Sequence, residues 1–317
     1  MREINSLVFS SGGINGLYFV GCLRAIEEYK IIENITRIIG TSAGAIFATL
    51  ITLKYTYNEL HDAILHIDTS LLLKISIENI MAFTKEFGID DGEKMKRVME
   101  VFFIQKMGKR CITFQELYNW NPVHLILTGT CLDTNKLEYF DYINTPDMKV
   151  VDAIRISASI PLLFTPVKYK GKLYIDGAVL CPYPVCHKIK KSDTVLGFNI
   201  QEKSNDDNNE KTSLFTYMNK IIHCIHSNLS YNKELQFEYK HLIWTVNIYT
   251  DNISLQFSVD KNTKLEAFQK GYEATKEILE RRGYKIQHRM NVLIKCIKRK
   301  QIMIELLKDV YNTHNTC

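Results

Sequence analysis

The 317-residue chain has no continuous apolar run of the roughly 18–20 residues that a membrane-spanning helix needs. Its longest apolar stretch, Ala43 to Leu53, is short and interrupted by threonines. The opening residues, MREINSLVFS, lack the apolar segment of a secretory leader, and the eight cysteines show no CxxC and no regular spacing. These absences predict a cytoplasmic chain with reduced thiols and, at most, peripheral contact with membranes. Metal-ligand spacing is missing as well. His223 with His226, His61 with His66, and Cys181 with Cys186 and His187 do not form a four-ligand set, so neither a metal nor another cofactor is expected. Acidic residues are scarce at one end. From Arg281 onward nine Lys and Arg face only Glu305 and Asp309, a net of +7, which leaves −2 for the preceding 280 residues.

What is present is an alternation of short apolar runs and helical patterns. Ser6–Ser10 reads as a buried strand, broken by glycines at 12–16, and a helical pattern runs from Leu17 to about Tyr29. Thr36–Ile39 reads as a second strand, again followed by apolar residues at helical spacing to about Tyr55. Such an opening predicts a parallel sheet covered by helices. Residues 58–120 read as mostly helical, interrupted at Gly88–Gly92, where Asp91-Gly92 is expected to be a surface turn. Further strands are expected at His124–Cys131, Lys136–Asp141, Val167–Tyr169, Lys172–Ile175, Val195–Ile200 and Leu242–Ile248, with a helix near Val150–Ser157. The polar stretch Glu202–Lys211 reads as a surface loop.

Three segments carry chemistry. In Ser11-Gly12-Gly13-Ile14-Asn15-Gly16, placed between strand and helix, main-chain N–H groups and the positive end of a helix dipole suit a negative charge. In Gly40-Thr41-Ser42-Ala43-Gly44, glycines on both sides of a serine allow a sharp turn that exposes its hydroxyl at a helix start. In Tyr174-Ile175-Asp176-Gly177-Ala178, an aspartate ends an apolar strand with a glycine behind it.

In this order and on these elements, the segments resemble the patatin-like phospholipase family: SGGINGLYFVG matches its glycine-rich loop, GTSAG its nucleophile elbow and YIDGAV its aspartate block. Ile156–Pro166 and Leu265–Ile278 are similar to two further blocks, so the resemblance covers roughly residues 5–280. It implies an α/β three-layer sandwich with a mainly parallel central sheet over residues 1–280, followed by a basic helical tail at 281–317. It implies Ser42 as nucleophile, Asp176 as general base, and the N–H groups of Gly12, Gly13 and Ile14 as oxyanion hole. Gly16, Gly40, Gly44 and Gly177 would support these motifs. The implied activity is metal-independent cleavage of fatty-acyl esters, most of all those of phospholipids, by a dyad without histidine. A carboxylate can serve as that base only where burial raises its proton affinity, which the apolar run Leu173–Ile175 favours. Ser11 and Asn15 stand where the family has a glycine and a basic residue, and they leave open an alternative, a weak or inactive lipid-binding relative.

Two other chemistries fit less well. A Ser-His-Asp hydrolase would need one of the histidines beyond Asp176 in a loop after a strand, and none stands in such a place. A dinucleotide fold would need an acidic residue ending the second strand, where Ile39-Gly40-Thr41 stands. In the tail, apolar Ile286, Met290, Leu293, Ile294 and Ile297 alternate with basic Lys285, Arg289, Lys295, Lys298 and Lys300. That pattern suits an amphipathic helix on an anionic membrane through residues 285–300. No nucleic-acid motif accompanies the charge.

Overall fold

The computed structural model describes residues 3–68, 83, 86–202, 221, 239–250 and 259–286. Of the loop expected at Glu202–Lys211, Glu202 ends a strand and 203–211 lie outside the described residues, as do residues 287–317 of the expected 281–317 tail. The strands are β1 (Ser6–Phe9), β2 (Arg37–Gly40), β3 (Gly88–Asp90), β4 (His124–Cys131), β5 (Lys136–Phe140), β6 (Leu162–Phe164), β7 (Val167–Tyr169), β8 (Lys172–Asp176), β9 (Val195–Glu202) and β10 (Ile243–Thr250). The helices are α1 (Tyr18–Glu28), α2 (Ala43–Thr52), α3 (Tyr57–His66), α4 (Glu93–Met107), α5 (Phe114–Trp120), α6 (Val150–Ser157) and α7 (Lys261–Arg281).

Eight strands form one sheet in the order β10-β9-β1-β2-β4-β8-β7, with β5 also paired to β4. The pairs from β10 through to β4 are parallel, whereas β5, β8 and β7 join antiparallel. The expected α/β class with a mainly parallel sheet flanked by helices is what the chain adopts. Side chains alternate across the strands with period two. Leu7, Phe9, Ile38, Leu125, Leu127, Leu196 and Phe198 enter the large core shared with the helices. Val8, Ile39, Ile126 and Val195 face the other way, where Val185, Tyr183, Cys186 and Ile189 cover them. Capping boxes start two helices, Thr56 with Glu59 at α3 and Thr113 with Glu116 at α5, and Asp260 caps α7.

Two features differ from the sequence reading. Gly88–Asp90 and Leu162–Phe164 form a small parallel sheet of their own, too short to show as an alternating pattern. The Asp91-Gly92 pair is not a plain surface turn. Asp91 is exposed, but Gly92 is buried at φ 68° and begins α4, its N–H donating to the Asp90 carboxylate at 2.7 Å.

The sheet also sets up the site. Gly40 at the end of β2 is registered on Leu127, and Asp176 at the end of β8 on Gly129. Two chain segments more than 130 residues apart thus end within two residues of each other along β4.

Candidate active site

Ser42 follows β2 directly and occupies φ 56°, ψ −122°, a conformation that costs a side-chain-bearing residue on the order of 1–3 kcal/mol. The surroundings enforce it. A side chain at Gly40 would strike the backbone of Gly44, and one at Gly44 would strike the carbonyls of Phe9 and Ser10. The elbow therefore presses β2, α2 and the end of β1 together with no room for a methyl group. Ser42 stands at the N-cap of α2, a place where serine usually accepts a backbone N–H, yet its hydroxyl makes no capping bond. It acts instead on the Asp176 carboxylate, favouring its ionised form.

Asp176 is 2% exposed. Burial raises its pKa from 3.8 to about 7, opposed by the Ala178 N–H and the Ser42 hydroxyl. The Ala178 bond is 2.7 Å. The backbone of Asp176 is held on both sides, its N–H donating to the Ser159 carbonyl (2.9 Å) and its carbonyl accepting from the Thr130 hydroxyl (2.9 Å). Gly177 lies against the Thr128 side chain, and the Thr128 hydroxyl bonds that of Thr41 at 2.8 Å. One β4 threonine thus touches the neighbours of both Ser42 and Asp176.

The glycine-rich loop lies beside them. Gly13–Leu17 forms a single tight 3-10 turn with Gly12 at its N-cap. Asn15 donates its N–H to the Gly12 carbonyl at 2.9 Å, but among the described residues the N–H groups of Gly12, Gly13 and Ile14 have no partner. The Ala43 N–H, at the first position of α2, is likewise unclaimed among the described residues. Such donors at a helix start attract a developing negative charge. Gly16 approaches the elbow so closely that a Cβ there would meet the Ala43 Cβ at 2.8 Å.

The departures at Ser11 and Asn15 take definite forms. Ser11 lies outside the positive-φ region, which makes a side chain tolerable there, and its N–H donates to the Pro182 carbonyl at 2.7 Å. Asn15 is buried, and its Oδ1 has no hydrogen-bond partner. An orphaned acceptor of this kind costs roughly 1–3 kcal/mol.

Ser42, Gly13, Ile14 and Gly16 open onto a cavity of about 180 Å³. Its wall is apolar apart from Ser42 and comes from α2 (Ile46, Phe47, Leu50), the end of α3 (Ile64, Ile67) and α4 (Met95, Val98, Met99, Phe102), completed by Ala158, Ile160 and Phe164. No described histidine lines it.

The motif residues Gly12, Gly13, Ile14, Gly16, Gly40, Ser42, Gly44, Asp176 and Gly177 therefore gather in one place. Three contributors were not singled out. The Ala43 N–H could have been found from its position directly after the serine of an elbow. The Ser157 hydroxyl, which accepts the Ser42 N–H at 3.0 Å, and Thr128 carry no local signal.

Comparison with known proteins bears on the family and the fold. A family model described as patatin-like phospholipase matches residues 7–186. An uncharacterised protein of Acanthamoeba polyphaga mimivirus is 28% identical over 282 residues, covering 87% of this chain and 93% of its own. A probable lipid hydrolase of Invertebrate iridescent virus 6 is 31% identical over 191 residues, 60% of this chain and 64% of that one. Among solved structures, VipD from Legionella pneumophila superposes with a TM-score of 0.65 at 15% identity, over 88% of this chain and 67% of that one, a likeness of fold. With the motifs, their convergence and a family match spanning more than half its length, the chain belongs to the patatin-like phospholipase family.

Proposed function

We propose that this chain hydrolyses fatty-acyl esters of phospholipids through Ser42 and Asp176, without a metal. Lipid hydrolysis in general terms comes with the family; the finer reading rests on the site. The observation that carries it is a buried, strained serine whose hydroxyl acts on a dry carboxylate of raised pKa, at the mouth of an apolar cavity.

In this reading Ser42 Oγ attacks the ester carbonyl while its proton passes to Asp176. Charge builds on the carbonyl oxygen, which the N–H groups of Gly12, Gly13, Ile14 and Ala43 receive; loss of one such donor typically costs about a hundred- to thousandfold in rate. Protonated Asp176 then gives its proton to the departing alcohol, leaving an acyl-serine. Water, deprotonated by Asp176, attacks that ester; Asp176 then returns the proton to the departing Ser42 Oγ, and the fatty acid is released. A pKa of about 7 suits both halves, since one group must accept and then donate near neutrality. The apolar cavity suits the acyl chain, and the basic pattern of residues 285–300 suits contact with an anionic membrane surface.

The test is fatty-acid release from labelled phospholipid vesicles in EDTA. Wild type is expected to release acid, and Ser42→Ala and Asp176→Asn, folded by circular dichroism, to fall by at least about 10²–10⁴-fold, the usual worth of a positioned proton-transfer group. Vesicle binding by wild type without acid release would instead favour the lipid-binding alternative that the orphaned Asn15 and the absent basic residue support.

A further inference from the structure

The last turn of α6 touches both members of the dyad. Its Ser157 hydroxyl accepts the Ser42 N–H, and two residues on, the Ser159 carbonyl accepts the Asp176 N–H. What fixes this turn is a buried cation. Arg155 is 5% exposed, and its Nε donates to the Asp91 carbonyl at 2.9 Å. Nη1 donates to the Ser159 hydroxyl, which in turn donates to the Arg155 carbonyl at 2.6 Å. Nη2 donates to the Thr165 carbonyl (2.8 Å) and hydroxyl (3.1 Å).

The guanidinium also reaches the cavity wall. A Cβ at Gly92, the start of α4, would strike it, and the ring of Phe164 lies 5.5 Å from its centre. Burial lowers the Arg155 pKa, while Asp90, Asp91 and Glu93 support the charge through space. Burying a charge is expensive, and an apolar residue of similar volume often fills such a place at lower cost. Only a planar fork of donors reaches three separate segments at once, which a lysine cannot do.

We propose that Arg155 is a positioning residue, tying the start of α4, which carries much of the cavity wall, to the Ser157–Ser159 turn that holds the amides of Ser42 and Asp176. The inference rests on the Ser42–Asp176 reading above. No charged side chain among the described residues acts on Asp176; its pKa follows from burial, the Ala178 N–H and the Ser42 hydroxyl. Loosening the turn lets water reach Asp176, and its pKa then falls toward the ordinary carboxylate value.

The experiment is the rate at which a soluble fluorophosphonate labels Ser42, measured against pH in wild type, Arg155→Lys and Ser159→Ala, with thermal melts of each. In Arg155→Lys the rate is expected to drop about ten- to a hundredfold, as sub-ångström misplacement does, and the midpoint of its rise to move down by about one pH unit or more. Ser159→Ala keeps the carbonyl but loses one arm of the fork, and should shift the same way by less. It decides the matter if Arg155→Lys does not fold. A merely structural role lowers the folded fraction and leaves the midpoint in place. Folded variants with the wild-type rate and midpoint overturn the proposal while leaving the dyad intact. Absence of labelling at Ser42 in wild type overturns the dyad and this proposal with it.

Discussion

The arm that carries Ser42 is built from neighbours in sequence, whereas the arm that carries Asp176 hangs on groups drawn from distant parts of the chain. Gly40, Gly44 and the start of α2 force the serine into its strained pose within five residues. Asp176 takes its position from Ser159, Thr130 and Thr128, and its chemistry from the dryness around it. The difference teaches that a serine hydroxyl can be placed by local sterics, while the proton affinity of a carboxylate is made by its environment. Strain is stored on one side and desolvation on the other.

The sharpest way to break this comparison is to remove the charge from the second arm. Between pH 4 and 7 the folded chain holds a proton on Asp176 that the unfolded chain has lost, because burial raises the folded pKa from 3.8 to about 7. Stability therefore falls as pH rises through that window, and the full cost, up to about 4 kcal/mol, is present above it. Asp176→Asn is expected to abolish activity yet raise stability by up to that amount at pH 8, with no gain below pH 4. Urea unfolding at the two pH values checks this, and a loss at pH 8 would mean that the ionised carboxylate is stabilised, not merely tolerated.

A smaller effect is expected where the glycine loop meets the elbow. Gly16→Ala drives a methyl against the Ala43 Cβ. Overpacking of that kind costs about 1–3 kcal/mol and moves the loop donors away from the serine. Ala43→Gly in the same chain should restore much of the rate, and a double-mutant cycle on kcat reads the coupling. Additive losses would show that the two segments act apart. The smallest effect belongs to the strain itself. Ser42→Gly, inactive by design, should stabilise the chain by about 1 kcal/mol, since glycine takes that backbone conformation freely. No gain in the melting curve would place the cost of the elbow elsewhere.

The same contrast explains what was legible in the sequence. The β1-loop-α1 and β2-elbow-α2 units announce themselves through glycines at fixed offsets, and β4, α6 and the β7–β8 hairpin through pattern and turn residues. Asp176 stands out in the sequence only because its strand and following glycine belong to a recognisable block. Ser157, Thr128 and Arg155 make contacts to Ser42, Thr41 and Asp91 that span 64 to 115 residues of sequence, and such a contact leaves no local mark on residue type. Asp91-Gly92 misled for the same reason: its composition is that of an exposed turn, and only the approach of Arg155 turns it into a junction. The small β3–β6 pair is likewise set by tertiary pairing and not by propensity.

The matched family segment ends at residue 186, but the sheet does not. β9 is inserted next to β1, between it and β10, and Lys264 of α7, itself 3% exposed, donates to the carbonyls of Ile64 and Ile67, the residues where α3 reaches the cavity. Cutting the chain at that boundary would strip β1 to an open edge, ready to recruit any other extended segment, and would unlatch one side of the apolar cavity. β9, β10 and α7 thus belong to the structural frame of the molecule and are not an appendage to it.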